Sequence, residues 1–187
     1  MQRVRNVTVV LAGRSEPDER TQLLMDMLTA MGSSGTHVEY RRLDVARREA
    51  VERLVGDLTD AFGGLHGVIH SAGVTRDNFI LKKVPQELVE VLAPKVAGCV
   101  HLDRACQDLD FFVLFSSLSG VAGNPSQADY AAANAFMDAF AHYRNTLVHE
   151  NRRRGRTLSI DWPLWREGGM RVDPGLEKLL QERTGLV

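Results

Sequence analysis

Short apolar, β-branched runs alternate along this chain with longer stretches whose apolar positions recur every three or four residues. The short runs are Val7 to Leu11, Val38 to Arg42, Gly67 to His70, Phe111 to Ser116 and Thr157 to Ile160. The helical stretches are Asp18 to Met31, Arg47 to Phe62, Pro85 to Gln107 and Ser126 to Glu150. Strand and helix in alternation predict parallel strands with helices on both faces. Val7-Thr8-Val9-Val10-Leu11 and Phe111-Phe112-Val113-Leu114-Phe115 are almost wholly apolar, as strands buried on both sides should be. The fold class expected is α/β, an open doubly wound parallel sheet. Internal repeats and low-complexity linkers are absent, and Gly32-Ser33-Ser34-Gly35 is short enough to be a loop.

In such a sheet, ligands sit beyond the carboxyl ends of the strands. Five polar segments follow the five runs: Gly13-Arg14-Ser15, Asp44, Ser71-Ala72-Gly73, Ser116-Ser117 and Asp161-Trp162-Pro163. They are expected to converge on one edge. Arg14 would offer a guanidinium to an anionic group, Asp44 could accept from an amino group, and Ala72-Gly73 would let a flat ring approach the backbone. Asp44 could equally cap the helix starting near Arg47, and Ala72-Gly73 could be a tight turn.

Size and charge narrow the classes. A chain of 187 residues, 44% hydrophobic, suits one domain with a continuous core. Lysine plus arginine number 23 against 24 for aspartate plus glutamate, so no bulk field recruits nucleic acid or an anionic membrane. Arg152-Arg153-Arg154 before Gly155 reads as favourable charge at a helix C-terminus ahead of a glycine cap. Cys99 and Cys106 lie seven residues apart in one expected helix, about 10 Å along its axis, beyond disulfide reach. Two unpaired thiols suit a reducing cytoplasm, and neither a membrane span nor a signal peptide is apparent. His70, His101, His142 and His149 show no metal-ligand spacing.

The most informative constellation is Tyr130-Ala-Ala-Ala-Asn134, with Ser117 and Lys95 upstream. A phenol and a carboxamide four residues apart share one face of a helix. Tyr130 could protonate a carbonyl oxygen, Ser117 could hydrogen-bond the same oxygen, and a nearby Lys95 ammonium would favour the phenolate. That is the acid half of a hydride transfer to a ketone.

Val-Ile-His-Ser-Ala-Gly (68 to 73), Leu-Ala-Pro-Lys-Val-Ala-Gly (92 to 98), Leu-Phe-Ser-Ser-Leu-Ser-Gly (114 to 120), Tyr-Ala-Ala-Ala-Asn-Ala-Phe-Met-Asp (130 to 138) and Asp-Trp-Pro-Leu-Trp (161 to 165) together resemble the ketoreductase domain of modular polyketide synthases. The resemblance spans nearly the whole chain. Ordinary short-chain dehydrogenases carry a lysine four residues after the tyrosine; here that place is Asn134 and the lysine is Lys95, an interchange that marks the polyketide and fatty-acid synthase branch.

The resemblance implies a Rossmann-like, three-layer α/β/α domain over residues 1–170, with 171–187 as a tail toward a following domain. It implies NADPH as hydride donor, with Arg14 near the 2′-phosphate, Asp44-Val45 near the adenine, and Ser71, Ala72, Gly73 and Pro163 along the cofactor. Ser117, Tyr130, Lys95 and Asn134 are implied as the catalytic group, acting on a 3-ketoacyl thioester carried by an acyl carrier protein. For stereocontrol it implies Asp77, Pro125, Gln127 and Met170. Asp77, in Val74-Thr75-Arg76-Asp77-Asn78, and the absence of tryptophan at Ala122 suit the class delivering an R (D) hydroxyl. Thr75-Arg76 depart from that class's leucine-aspartate pattern, and similar Arg-Asp-Asn loops occur in synthases whose acyltransferase acts in trans. Trp162 to Met170 is expected to begin a lid over the acyl chain.

One family feature is missing. A dinucleotide-binding fold should open with a strand, a glycine-rich turn and a helix N-terminus for the pyrophosphate, yet no Gly-x-Gly-x-x-Gly occurs. The chain begins at what resembles the second strand. The absent strand would lie mid-sheet, so two unpaired edges are expected, and the chain alone is expected neither to bind NADPH at micromolar concentration nor to reduce a ketone. The rival from another class is a non-catalytic ketoreductase-like domain kept for packing. A receiver-like or flavodoxin-like module shares the alternation but gives no reason for Ser117, Tyr130 and Asn134 to occur together.

Overall fold

The computed structural model describes residues 6–165. Along this span run β1 (Thr8–Gly13), α1 (Glu19–Met31), β2 (His37–Arg42), α2 (Arg48–Phe62), β3 (Gly67–His70), α3 (Pro85–Leu92), α4 (Gly98–Ala105), β4 (Asp108–Ser117), α5 (Leu118–Ala122), α6 (Ala128–His149) and β5 (Arg154–Trp162). All strand pairs are parallel: β1 pairs with β2, β3 with β4, and β4 with β5. The fold is the expected Rossmann-like α/β arrangement, and its ladders form two sheets, β1-β2 and β3-β4-β5. No ladder joins β1 to β3 among the described residues.

Local sequence explains the element ends. Asp18 caps α1, its carboxylate accepting from the Thr21 amide at 2.8 Å. Gly63, at φ 79°, ends α2 in the left-handed conformation that glycine adopts without steric cost. Pro85 opens α3 where a missing N–H costs nothing, and Glu87 accepts from the Val84 amide at 3.2 Å.

The core lies between β4 and the helices on one face of the larger sheet. Phe112 and Leu114 alternate inward, fully buried, and meet Cys99, Met137 and Phe140. A smaller cluster of Leu43, Val45 and Val51 packs on Leu102 and Ala105, attaching the β1-β2 unit to α4. On the opposite face of the larger sheet Ile69, Phe111 and Leu158 remain exposed among the described residues. No helix there is long and apolar enough to cross a membrane.

Arg144 of α6, fully buried, locks the edge remote from the strands' carboxyl ends. Its guanidinium donates to Asp103 at 2.8 Å, to the Thr157 hydroxyl at 2.9 Å, and to the carbonyls of Arg154 and Gly155 at 3.0 and 3.1 Å. Arg153 grips both oxygens of the same Asp103 at 3.0 Å. The buried carboxylate is thus shared by two arginines.

Two expectations change. Pro85 to Gln107 is not one helix: a π-helical turn, Ala93–Ala97, separates α3 from α4. Pro94 supplies no N–H to the ladder, and the Gly98 amide reaches five residues back to the Ala93 carbonyl. Gly155 is no helix cap. It lies in β5 at φ 73°, where a Cβ would fall 2.1 Å from the Leu109 carbonyl oxygen, beside a register shift between Asp108 and Phe111. Arg154 is likewise a strand residue, paired with Asp108 and Asp110. Cys99 and Cys106 are free and buried, and burial pushes both thiols up, Cys106 to about 11. The expected boundary at residue 170 and Met170 itself lie outside the described residues.

Candidate active site

Tyr130 stands in the first turn of α6, buried at 9% exposure. Lys95 reaches it from the π-helical turn, with Nζ 5.6 Å from the ring centroid. Nζ also donates to the Phe115 carbonyl at 2.9 Å, so the ammonium is held between β4 and α6. Burial lowers Lys95 to about 8, opposed by the negative field of Asp138. The turn that presents Lys95 is itself braced. His70, at the end of β3, bonds the Pro94 carbonyl through Nε2 at 3.0 Å. Burial and the nearby Lys95 hold His70 down at about 4, so the ring is neutral at ordinary pH and its proton sits on Nε2, facing the acceptor.

Ser117 ends β4 and caps α5, its Oγ accepting from the Ser119 amide at 3.2 Å. The short α5 packs closely on α6, and Gly120 permits the approach: a Cβ there would lie 2.9 Å from the Ala135 nitrogen. Asn134 is fully buried. Its Nδ2 donates to the Tyr130 carbonyl at 2.7 Å, and its Oδ1 has no hydrogen-bond partner among the described residues. The Ser116 hydroxyl donates to the Asn134 carbonyl at 3.2 Å, fixing helix to strand.

Two of the residues expected on the substrate side, Asp77 and Gln127, meet each other. Asp77 accepts from Gln127 Nε2 through both carboxylate oxygens, at 3.1 and 3.0 Å, and Asn124 holds Gln127 Oε1 at 2.8 Å. Pro125 is exposed in the same connection, and Ser126 takes a left-handed φ of 68° while its carbonyl accepts from the Asn78 amide. At the end of β5, Trp162 packs at a tilt against Phe115 and meets Trp165 edge-on, with Pro163 exposed beside it. Loss of solvent, then Asp138, lifts the Asp161 carboxyl above its usual range.

The residues named for the cofactor lie at the strand ends. Arg14 is exposed after β1, and no carboxylate pairs with it among the described residues; its carbonyl accepts from Arg42 Nε at 3.1 Å, which holds the turn. Asp44 Oδ1 accepts from the Ala46 amide at 3.1 Å, closing a turn ahead of α2 rather than capping it, since the N-cap Arg47 has no side-chain cap bond. The Val45 side chain is buried against Gly98, and its carbonyl meets His101 Nδ1 at 3.2 Å. Ser71 and Ala72 are exposed beyond β3, with Gly73 half-buried. Among the described residues no cluster of His, Cys, Asp and Glu could hold a metal ion.

A parallel α/β fold with tyrosine, serine and lysine at the strands' carboxyl ends defines a reductase-type domain, and the comparisons agree. The KR domain family model matches residues 1–167. Polyketide synthase PksL of Bacillus subtilis (strain 168) is 47% identical over 184 residues, 97% of this chain and 4% of that protein. Polyketide synthase ThaG of Burkholderia thailandensis is 43% identical over 188 residues, 98% of this chain and 3% of that protein. Among solved structures, a ketoreductase domain from the bacillaene assembly line superposes with TM-score 0.90 at 46% identity, covering 97% of this chain and 43% of that one. An N-terminal ketoreductase from the macrolactin assembly line gives 0.79 at 42%, covering 86% and 32%. The chain belongs to the ketoreductase (KR) domain family of polyketide synthases. It spans a small fraction of the curated synthases it matches and under half of those solved domains.

Proposed function

We propose that this chain is the catalytic part of an NADPH-dependent reductase that converts a 3-ketoacyl thioester on an acyl carrier protein to the 3-hydroxyacyl thioester, within a cytoplasmic polyketide synthase. The Lys95 ammonium facing the Tyr130 ring carries this reading. Tyr130 donates its phenolic proton to the ketone oxygen, Ser117 donates a hydrogen bond to that oxygen, and Lys95 stabilises the phenolate left behind. Asn134 fixes the first turn of α6 through the Tyr130 carbonyl and keeps Oδ1 as an acceptor for a water that returns the proton.

The residues present suit NADPH. The Arg14 guanidinium, with no carboxylate partner among the described residues, fits the 2′-phosphate; Asp44 and Val45 fit the adenine edge; and the Ser71-Ala72-Gly73 segment fits the ribose side. NADPH, when bound, supplies the hydride that reaches the β-carbon. Asp77 with Gln127, together with Pro125 and Met170, selects the face of the ketone, in the direction that gives the R (D) alcohol.

One observation favours a second reading, a non-catalytic packing domain: β1 and β3 are unlinked among the described residues. NADPH binding discriminates. By calorimetry the 187-residue chain should not bind at micromolar concentration, and a glycine-rich strand-turn-helix joined ahead of it, or supplied in trans, should restore both binding and ketone reduction. Binding that stays absent after that addition would favour the packing role.

A further inference from the structure

Between β3 and α3 the chain makes a surface loop, and one charged residue of it turns inward. Lys83 Nζ lies 2.7 Å from Asp129 Oδ2, with side-chain exposures of 7% and 1%. The same ammonium donates to the Arg76 carbonyl. The other carboxylate oxygen, Asp129 Oδ1, accepts from the backbone amide of Tyr130 at 2.9 Å. One carboxylate therefore bridges the loop lysine and the main chain of the tyrosine. Just ahead of it in the chain lie the Asp77 to Gln127 bonds and the Asn78 amide on the Ser126 carbonyl. The loop is stapled to the entry of α6 at three successive places.

A buried ion pair is a weak source of stability, because desolvating both charges offsets most of their attraction, whereas its directional bonds fix a geometry. Here the geometry fixed is that of Asp77 relative to Tyr130. Arg76 Nε also holds Glu90 of α3 at 2.9 Å, so the loop is anchored on its outer side while Lys83 pulls from within. If Lys83 lets go, the Arg76 carbonyl and Asp129 both lose a partner, and the Asp77 to Gln127 contact loses its fixed distance from the phenol.

Resting on the ketoreductase reading above, we propose that Lys83 and Asp129 form a clasp of positioning residues that registers the Asp77 loop against Tyr130 and thereby determines which face of the ketone is reduced. Neither touches the reacting atoms. Their effect is on the ratio of the two alcohols, since a loosened loop admits the ketone in both orientations.

The test uses the synthase polypeptide that carries this domain, with a 3-ketoacyl thioester and NADPH. The 3-hydroxyacyl stereoisomers are separated by chiral chromatography, and kcat, KM, NADPH affinity and melting temperature are measured alongside. Lys83→Met and Asp129→Asn, which keep side-chain size, should lower the major-to-minor ratio by about tenfold and raise KM more than they lower kcat, with NADPH affinity unchanged. Lys83→Arg should keep the ratio near that of the unmutated protein. An unchanged ratio in both folded variants, or unfolding of both, would overturn the clasp alone. Absence of any hydroxy product from the unmutated protein would overturn the reductase reading itself, and the clasp with it.

Discussion

The Lys95 ammonium lies 5.6 Å from the centre of the Tyr130 ring, though the two side chains belong to different helices and are 35 positions apart. The contact is made from a π-helical turn whose Pro94 carbonyl a neutral His70 holds. Lysine, tyrosine and histidine therefore act as one unit, and its charge state follows pH.

Burial sets Lys95 at about 8, with Asp138 pulling it up and His70 neutral beside it. Below that value the lysine is a cation and supports the phenolate; above it the proton, and the support, are gone. The expected kcat/KM for reduction is level at neutral pH and declines as pH rises through about 8. Lys95→Met should lower the plateau by about 100-fold and abolish that decline. A decline of unchanged midpoint in the Lys95→Met variant would show that another group titrates.

Arg14 is expected to choose the phosphorylated cofactor, because its guanidinium is exposed at the end of β1 with no carboxylate partner among the described residues. In a polypeptide where a glycine-rich strand-turn-helix precedes this chain, Arg14→Ala should weaken NADPH by about tenfold or more while changing NADH little, the scale of a lost charge-assisted hydrogen bond. Equal losses for both cofactors, measured by fluorescence titration, would contradict the assignment.

What sequence reveals and conceals here follows from how local each signal is. The wholly apolar strand Phe111 to Phe115 and the capped helix from Asp18 are legible because their causes lie within a few residues. The π-helical turn is not, since it needs the His70 partner from a distant strand. Gly155 misleads because a basic run followed by glycine looks like a helix end, while its positive φ answers to the Leu109 carbonyl of a neighbouring strand. Asp77 and Gln127 are each implied by resemblance, but their mutual bond emerges only in three dimensions. Arg144 carried a usable signal: it interrupts an apolar helix face that includes Met137, Phe140, Ala141 and Leu147, a place where arginine persists only when paired.

That arginine supports a stability prediction separate from catalysis. Arg144→Met removes four hydrogen bonds from Asp103, Thr157, Arg154 and Gly155, and leaves Asp103 with Arg153 alone. The expected cost is about 3 kcal/mol, with a melting temperature lowered by roughly 10 °C in a complete domain. NADPH affinity below the transition should not change, because the network sits at the far edge of the sheet. A loss under about 1 kcal/mol would mean that Arg153 alone satisfies the buried carboxylate.

The account stands or falls on Tyr130 as the proton donor to a ketone. In a polypeptide where a glycine-rich strand-turn-helix precedes this chain, NADPH consumption and 3-hydroxyacyl product should rise together, mole for mole, on a 3-ketoacyl thioester. Tyr130→Phe removes only the phenolic oxygen from a buried ring, and should slow that reduction by at least about 100-fold while NADPH affinity changes little. Near-normal turnover by the phenylalanine variant would contradict the account directly.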